Sequence, residues 1–426
     1  MKRISLFLLL FLLLKATVMY SQDGHPETNF RIVPVSPNAA SLGTFGMIPT
    51  DNYVGQANLT IPIYEIDLDG KKFPIALSYH TDGTRVAQEA TWIGLGWTLQ
   101  AGGCVVRQVQ GTDDFAARGC YNLTDAPWLT NPRFEVTDQN LEKYMGYFKG
   151  DYDAEPDMFY FNAGGHSGSM YFDVLKNNRQ LNAVPTIQTQ EKVVKMVYNT
   201  SNKTWTMTDL EGYVYSFSTK EITYYFLNTI DFFQTDITRS HIFPYYNEPQ
   251  IVTAWMLDSV TSPNGGKIMF SYKKESIFTP ISTTEDVISL SKIVNGQLSS
   301  QSPQYFTNKF NYNYSYSKIE QWTLSAITFE GGKVEFGTTD REDIESAETG
   351  KKVQKLSSIK VSDTAGNLIK TTMLEYKYLL SGMAATTNGY DDRLLLSKVY
   401  DVAGSKKNNV YTMDYNMGKL PPKRSL

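Results

Sequence analysis

One local plan recurs along this chain: a run of alternating apolar residues, a glycine-containing turn, and a second alternating run that returns. A period of two marks one face of a β-strand, and a Gly or Asn-Gly turn between two such runs makes a β-hairpin. The plan is clearest in Pro156–Asp173 (PDMFYFNAGGHSGSMYFD), Trp205–Phe217, Leu257–Tyr272, Leu324–Phe336, Leu356–Tyr378 and Leu396–Tyr415. It predicts an all-β antiparallel hairpin array with little helix, and the 28 Tyr and 22 Phe suit its half-buried, pleated surfaces. Helical patterning is confined to a short amphipathic run, Asn140–Phe148, behind Thr137 and Asp138.

Four of the hairpins align on a leading Leu: Leu257, Leu324, Leu356 and Leu396 are followed three positions later by Val260, Ile327, Ile359 and Val399, and then by a Gly. A strand, turn and strand cannot bury an apolar face alone, so such units must pack side by side. Stacked hairpins and a sandwich of two sheets both satisfy the pattern. Thr279–Thr307, rich in Ser, Thr and Gln, reads as a surface excursion. The resulting division is a signal peptide (1–21), an amino-terminal β domain (22–150), a β-hairpin domain (151–278), the excursion (279–308) and further hairpin repeats (309–426).

The amino terminus points to export. Lys2 and Arg3 precede an apolar run, Leu6–Leu14, that Lys15 ends well short of the ~20 residues a bilayer span needs. This is the pattern of a secretory signal peptide with its cut near Ser21–Gln22, and nothing later in the chain is apolar enough to anchor the mature protein. Export permits a disulfide, for which Cys104 and Cys120 are the available pair; two buried thiols are the alternative. The expected location is periplasmic, cell-surface or secreted.

Composition narrows the chemistry. Lys+Arg 40 against Asp+Glu 44 leaves a formal charge of −4 with no basic stripe, which argues against nucleic acid as a partner. The four His (His25, His80, His166, His241) and two Cys show no zinc-ligand spacing. In Phe73–Gly111, a strand would place Ile93, Leu95, Trp97 and Leu99 on one face and leave Gly94 and Gly96 bare on the other, where a second backbone can approach. Trp92 and Trp97 are therefore read as structural. The stretch lacks the third Gly of a dinucleotide fingerprint, and Gly164–Ser169 (GGHSGS) is a hairpin turn rather than a nucleophile elbow. Asp151, Asp153, Glu155 and Asp157 would share one face of an extended segment and could attract calcium, although Pro156 stands where a calcium loop turns on Gly; a solvated acidic turn is the alternative.

Several stretches together resemble a known family. PNAASLGTFGMIPTDNYVGQANLTIPIYEI and PIALSYHTDGTRVAQEATWIGLGWTLQAGG look like the amino-terminal region of the large secreted RHS/YD-repeat proteins of Bacteroidetes. EPDMFYFNAGGHSGSMYFD, WTMTDLEGYVYSF, TAWMLDSVTSPNGGKIMFSY and YTMDYNMGKLPPKRS follow in the same order. A weaker similarity exists to the opening part of the B component of insecticidal toxin complexes. Tyr400–Ser405 (YDVAGS) resembles a YD unit, with Ser405 where Arg is expected. The resemblance implies a scaffold piece of a β-shell or surface stalk, without the toxin or adhesive cargo, and a downstream RHS/YD-repeat polypeptide or that cargo as partner. A carbohydrate-binding module and a glycosidase with a carboxylate pair are the other two classes, but no pair stands out among 44 acidic residues, so a non-enzymatic role is expected. Mass spectrometry of the exported protein should find a mature chain starting near Gln22; a full-length cytoplasmic product would contradict export.

Overall fold

The computed structural model describes residues 33–47, 58–80, 88–111, 113–116, 119–122, 141, 153, 155–173, 184–188, 194–230, 243–244, 250–290, 293–294, 297–298, 307–380 and 391–418. The signal segment, Asp151 and, Leu141 apart, the run at 140–148 lie outside the described residues. The chain forms two compact units, Met1–Arg31 with Gln110–Glu155, and Ile32–Val109 with Pro156–Leu426. This differs from the division drawn at residue 150, because strands from before and after that position pair within the second unit.

In the first unit the Ala116 amide donates to the Asp113 carbonyl (2.8 Å) and the Phe115 amide to the Asp113 side chain (3.0 Å), making a tight turn. The rings of Phe115 and Tyr121 meet 5.1 Å apart beside the single helical turn Cys120–Asn122.

The second unit is all-β apart from α1 (Pro37–Met47) among the described residues. Its strands β1 (Asn58–Leu68), β2 (Lys71–His80) and β3 (Trp97–Gln100) form one antiparallel sheet. The others are β4 (Gly103–Gln108), β5 (Met158–Ala163), β6 (His166–Tyr171), β7 (Thr186–Ile187), β8 (Val194–Asn199), β9 (Thr204–Asp209), β10 (Val214–Ile230), β11 (Phe243–Pro244), β12 (Ile251–Thr261), β13 (Lys267–Phe278) and β14 (Ser282–Leu290). After these come β15 (Ile293–Val294), β16 (Gln297–Leu298), β17 (Thr307–Phe329), β18 (Gly332–Asp340), β19 (Glu345–Ser346), β20 (Gln354–Ser362), β21 (Leu368–Leu379), β22 (Arg393–Ala403) and β23 (Lys406–Thr412). The two longest strands change partners along their length. β10 pairs with β12 through Val214–Thr223 and with β17 through Ile222–Ile230, so that β10, β12, β13 and β17 close a circuit. From β17, the chain runs as a meander through β18, β20, β21, β22 and β23. The expected surface excursion is itself paired: β14 lies along the first part of β17, from Ser282↔Ser315 to Leu290↔Thr307. Its Ser and Thr residues suit a strand as well as a loop, and composition misread them.

The leading Leu of each aligned hairpin and its apolar follower are all buried. Residues three apart face opposite ways in a regular strand, and a β-bulge resolves the conflict each time. Leu257 and Val260 lie opposite Phe217 and Tyr215, Leu324 and Ile327 opposite Tyr272 and Phe270, Leu356 and Ile359 opposite Thr338 and Phe336, and Leu396 and Val399 opposite Tyr376 and Leu374. The partners are two apart and share a face. The extra residue absorbed by the bulge is Asp258, Ser325, Ser357 or Ser397, polar in every case. Asp258 accepts hydrogen bonds from the Ser218 hydroxyl (2.7 Å) and the Thr219 amide (3.0 Å) of the neighbouring strand.

Alternation also builds the aromatic core, in which Phe159 of β5, Phe172, Tyr198 of β8, Trp205 of β9 and Trp255 of β12 contact one another at ring separations of 4.8 to 6.3 Å. The opposite face of β4 and β12, carrying Cys104, Val106, Ala254 and Met256, is covered by Val35, Ala39 and Leu42 of the strap that includes α1. Ser36 caps α1 by accepting from the Ala39 amide (3.2 Å), and its own amide donates to Glu221 of β10 (2.8 Å), which also accepts from Thr253 (3.1 Å). Burial pushes the Glu221 carboxyl up, against the pull of Ser36 and Thr253. Glu221→Ala, which leaves that amide and hydroxyl buried without their acceptor, should cost about 1–3 kcal/mol in urea unfolding, whereas Glu221→Gln keeps an acceptor oxygen and should cost much less.

Candidate functional site

Thr91 to Trp97 forms two successive tight turns. The Gly94 amide donates to the Thr91 carbonyl and the Trp97 amide to the Gly94 carbonyl, both at 3.1 Å, and the Thr91 hydroxyl donates to the Trp97 carbonyl at 2.6 Å. A strand begins only at Trp97, so the extended reading of residues 93 to 96 is corrected. Gly94 and Gly96 adopt φ of +121° and +76°, which bend the backbone into turns that an extended run cannot make. Another backbone does approach Gly94: a Cβ there would lie 2.9 Å from the Leu396 nitrogen, and the neighbouring Leu95 amide donates to the Leu394 carbonyl at 2.8 Å. At Gly96 a Cβ would strike the Tyr79 ring, which packs 5.2 Å from Trp97.

The turns are a junction. Trp97 is buried, and its indole donates to the Tyr415 hydroxyl (2.9 Å), which donates to the Leu396 carbonyl (2.8 Å). Burial pushes the Tyr415 phenol up to about 12. Trp92 packs on Phe336, its carbonyl accepts from the Leu356 amide (2.9 Å), and its amide donates to the Asn38 side chain (2.9 Å). Arg341, fully buried, donates to the carbonyls of Thr91 (2.9 Å) and Ala90 (3.2 Å) and forks onto Asp343 (2.8 and 2.7 Å). Asp343 in turn accepts from the Leu394 amide (3.1 Å). Strap, turns and the sheet from β18 to β22 are thus tied at one place.

Arg341, Asp343, Asn38 and Tyr415 were not singled out from the sequence. Arg341-Glu-Asp343 sits in a charged stretch that looks like a solvated turn, and nothing local marks it as buried. The acidic segment behaves differently from the calcium expectation. Asp153 accepts from the Glu155 amide (2.9 Å) in the first unit. Asp157, in the second, is buried and taken by Arg107, whose Nε lies 2.7 Å away against the Phe159 ring. Among the described residues, no group of three or more His, Cys, Asp and Glu side chains is placed to hold a metal ion. No disulfide joins Cys104 to Cys120; each is a buried thiol, and burial, with Glu221 nearby, pushes that of Cys104 up.

Another polar cluster, away from the junction, surrounds Asp209. It pairs with Lys71 (2.6 Å), which also reaches Glu211 (3.0 Å), and accepts from the Tyr215 hydroxyl (3.1 Å) and the Tyr213 amide (2.9 Å). His166, beside the expected hairpin turn at Gly164–Gly165, lies 3.8 Å away. Burial works to raise the Asp209 carboxyl, but Lys71 and the amide and hydroxyl donors hold it below the usual carboxylate range. It is a committed counter-ion, not an acid poised near neutrality. A cleft lined by Asn38, Ser41, Thr91, Trp92, Tyr272 and Trp322 has a volume of about 40 Å³, room for a few water molecules.

No protein-family model and no curated protein matches the chain. Among solved structures it is weakly similar to the N-terminal domain of the effector protein SpvB from Salmonella typhimurium strain LT2, at 12% identity and a TM-score of 0.38, over 82% of this chain and 99% of that one. It is likewise similar to a chain of the Photorhabdus luminescens Tc holotoxin pore (10% identity, TM-score 0.37, 89% of this chain and 16% of that one). A chain of the TcdB2–TccC3–Cdc42 crystal structure is matched at 12% identity and a TM-score of 0.34, over 84% of this chain and 15% of that one. The chain therefore spans less than a fifth of the length of the latter two.

Gly94→Ala forces a methyl group toward the Leu396 backbone and should cost about 2–4 kcal/mol in urea unfolding. Trp97→Phe, which loses the bond to Tyr415, should cost about 1–2 kcal/mol, and Trp97→Ala about 3–5 kcal/mol.

Proposed function

We propose that this chain is a non-catalytic structural element of an exported protein, a β-hairpin scaffold that contributes to a shell or surface stalk. The observation that carries this reading is the use of the buried charges. Arg341 and Asp343 hold the backbone of the turns and of β22, and Arg107 and Asp157 neutralise each other at the foot of β5. These groups are spent on joining strands, which leaves them unavailable as a free acid, base or nucleophile. Among the described residues, Trp92, Trp97, Trp205 and Trp255 are buried in the core, away from any sugar ring, which favours the scaffold over a carbohydrate-binding module or a glycosidase.

The scaffold reading agrees with the resemblance of the sequence to secreted RHS/YD-repeat proteins, and it makes a downstream repeat polypeptide or an enclosed toxin or adhesive cargo the natural partner. β23 suits such continuation: it pairs only with β22 among the described residues and is exposed along its whole length. Purified mature protein screened against polysaccharides, proteins and nucleic acids should give no turnover. Reproducible hydrolysis that disappears in Asp209→Asn, in a variant that still folds, would overturn the proposal.

A further inference from the structure

β23 and the residues that follow it, Met413–Gly418, are held more lightly than the strand they lie on. Among the described residues β23 pairs with β22 alone, and every one of its residues is exposed. Its ladder is also interrupted. Asn409, with a φ of +49°, and Val410 stand opposite Tyr400 as the two residues of a β-bulge, between the pairs at Asp401 and Val399. The side-chain ties lie near the surface, where such contacts hold weakly: Lys407 with Glu375 (2.9 Å) and over the Tyr400 ring (3.9 Å), and Asn409 with Asp401 (2.8 Å). β22, in contrast, is buried from Arg393 through Ser397 and shares a ladder of nine paired residues with β21.

Beyond β23 the chain stays beside β22. Asp414, Asn416, Met417 and Gly418 are exposed, and Met413 and Tyr415 are half-buried. The Met413 amide donates to the Ser397 carbonyl (2.9 Å). Tyr415 packs on the cluster of Leu95, Leu379, Leu394 and Leu395, accepts from the Trp97 indole and donates to the Leu396 carbonyl. An indole has one N–H to give, so the bond to Tyr415 is the whole of its hydrogen bonding. Leu396 is also the residue whose backbone Gly94 meets. One phenol therefore ties the lightly held end of the array to the junction.

We infer that β23 and the segment to Gly418 form a latch that opens as a unit: docked, Tyr415 seals the Trp97 indole; released, it uncovers the indole while β17 to β22 stay paired. Opening gives up the few bonds just named, whereas parting β22 from β21 breaks the whole ladder between them. Because the Trp97–Tyr415 bond exists only in the docked state, the coupling runs both ways. Whatever holds β23 in place steadies the Thr91–Trp97 turns, and weakening the turns frees β23.

Hydrogen exchange of the full chain, corrected for chemical exchange, reads the latch at the Met413 amide and the Trp97 indole N–H, with the amides of β20 and β21 as reference. In wild type both sites should open with the same free energy and respond little to sub-denaturing urea, while the reference amides respond as global unfolding does. Trp97→Phe removes the indole N–H, so it should speed exchange at the Met413 amide about three- to tenfold and leave its weak urea response in place. A Met413 amide as urea-sensitive as the reference, an indole with a different urea response from Met413, or Met413 exchange untouched by Trp97→Phe each overturns the inference. Should that variant fail to fold, the wild-type urea series decides by itself.

Discussion

The backbone at Gly94 passes so close to Leu396 that no side chain fits between them, and much of the second unit is arranged around that contact. Close approach brings the Leu95 amide to the Leu394 carbonyl, and this places a turn from early in the chain within β22, about three hundred residues later. Trp97, Tyr415 and Arg341 then secure the same place from three directions. A contact between segments so distant in sequence is entropically expensive to form, so it holds only because several bonds close at once.

The buried charges follow from the same need. Backbone carbonyls in tight turns cannot pair in a sheet, and a buried carbonyl must find a donor. The guanidinium of Arg341 reaches two of them and still forks onto Asp343, which a lysine could not do with one ammonium. Such a pair adds little net stability compared with apolar packing, yet removal of either member strands the other without its counter-charge. Glu221 meets the related problem for the strap, supplying an acceptor to the Ser36 amide where α1 begins.

Much of this architecture was legible in the residues. Alternation located the hairpins, the glycine turns located their ends, and the absence of side chains at Gly94 signalled a backbone neighbour. What the sequence concealed is what depends on the third dimension. The expectation that Asp153 and Asp157 act together rested on an extended run, but β5 starts only at Met158, and Asp157 turns inward to Arg107. Arg341 and Asp343 looked like surface charges because their partners are distant in sequence: the carbonyls that Arg341 serves lie some 250 residues away, and the Leu394 amide that donates to Asp343 lies 51 residues away. The Ser- and Thr-rich stretch after Thr279 was misread because strand partners, rather than composition, decide whether such residues pair.

The bulge after each leading Leu has one further effect. A strand in a hairpin array can slide by two residues without turning any side chain to the wrong face, so face alone cannot prevent that error. Here, sliding would set the extra residue of one strand against a regular stretch of its neighbour, carrying Asp258 or one of its serine counterparts out of the place the ladder leaves for it. The odd spacing from Leu to its apolar follower works as a detent. An interval that breaks the two-residue strand period is what holds each of these four strands in one position.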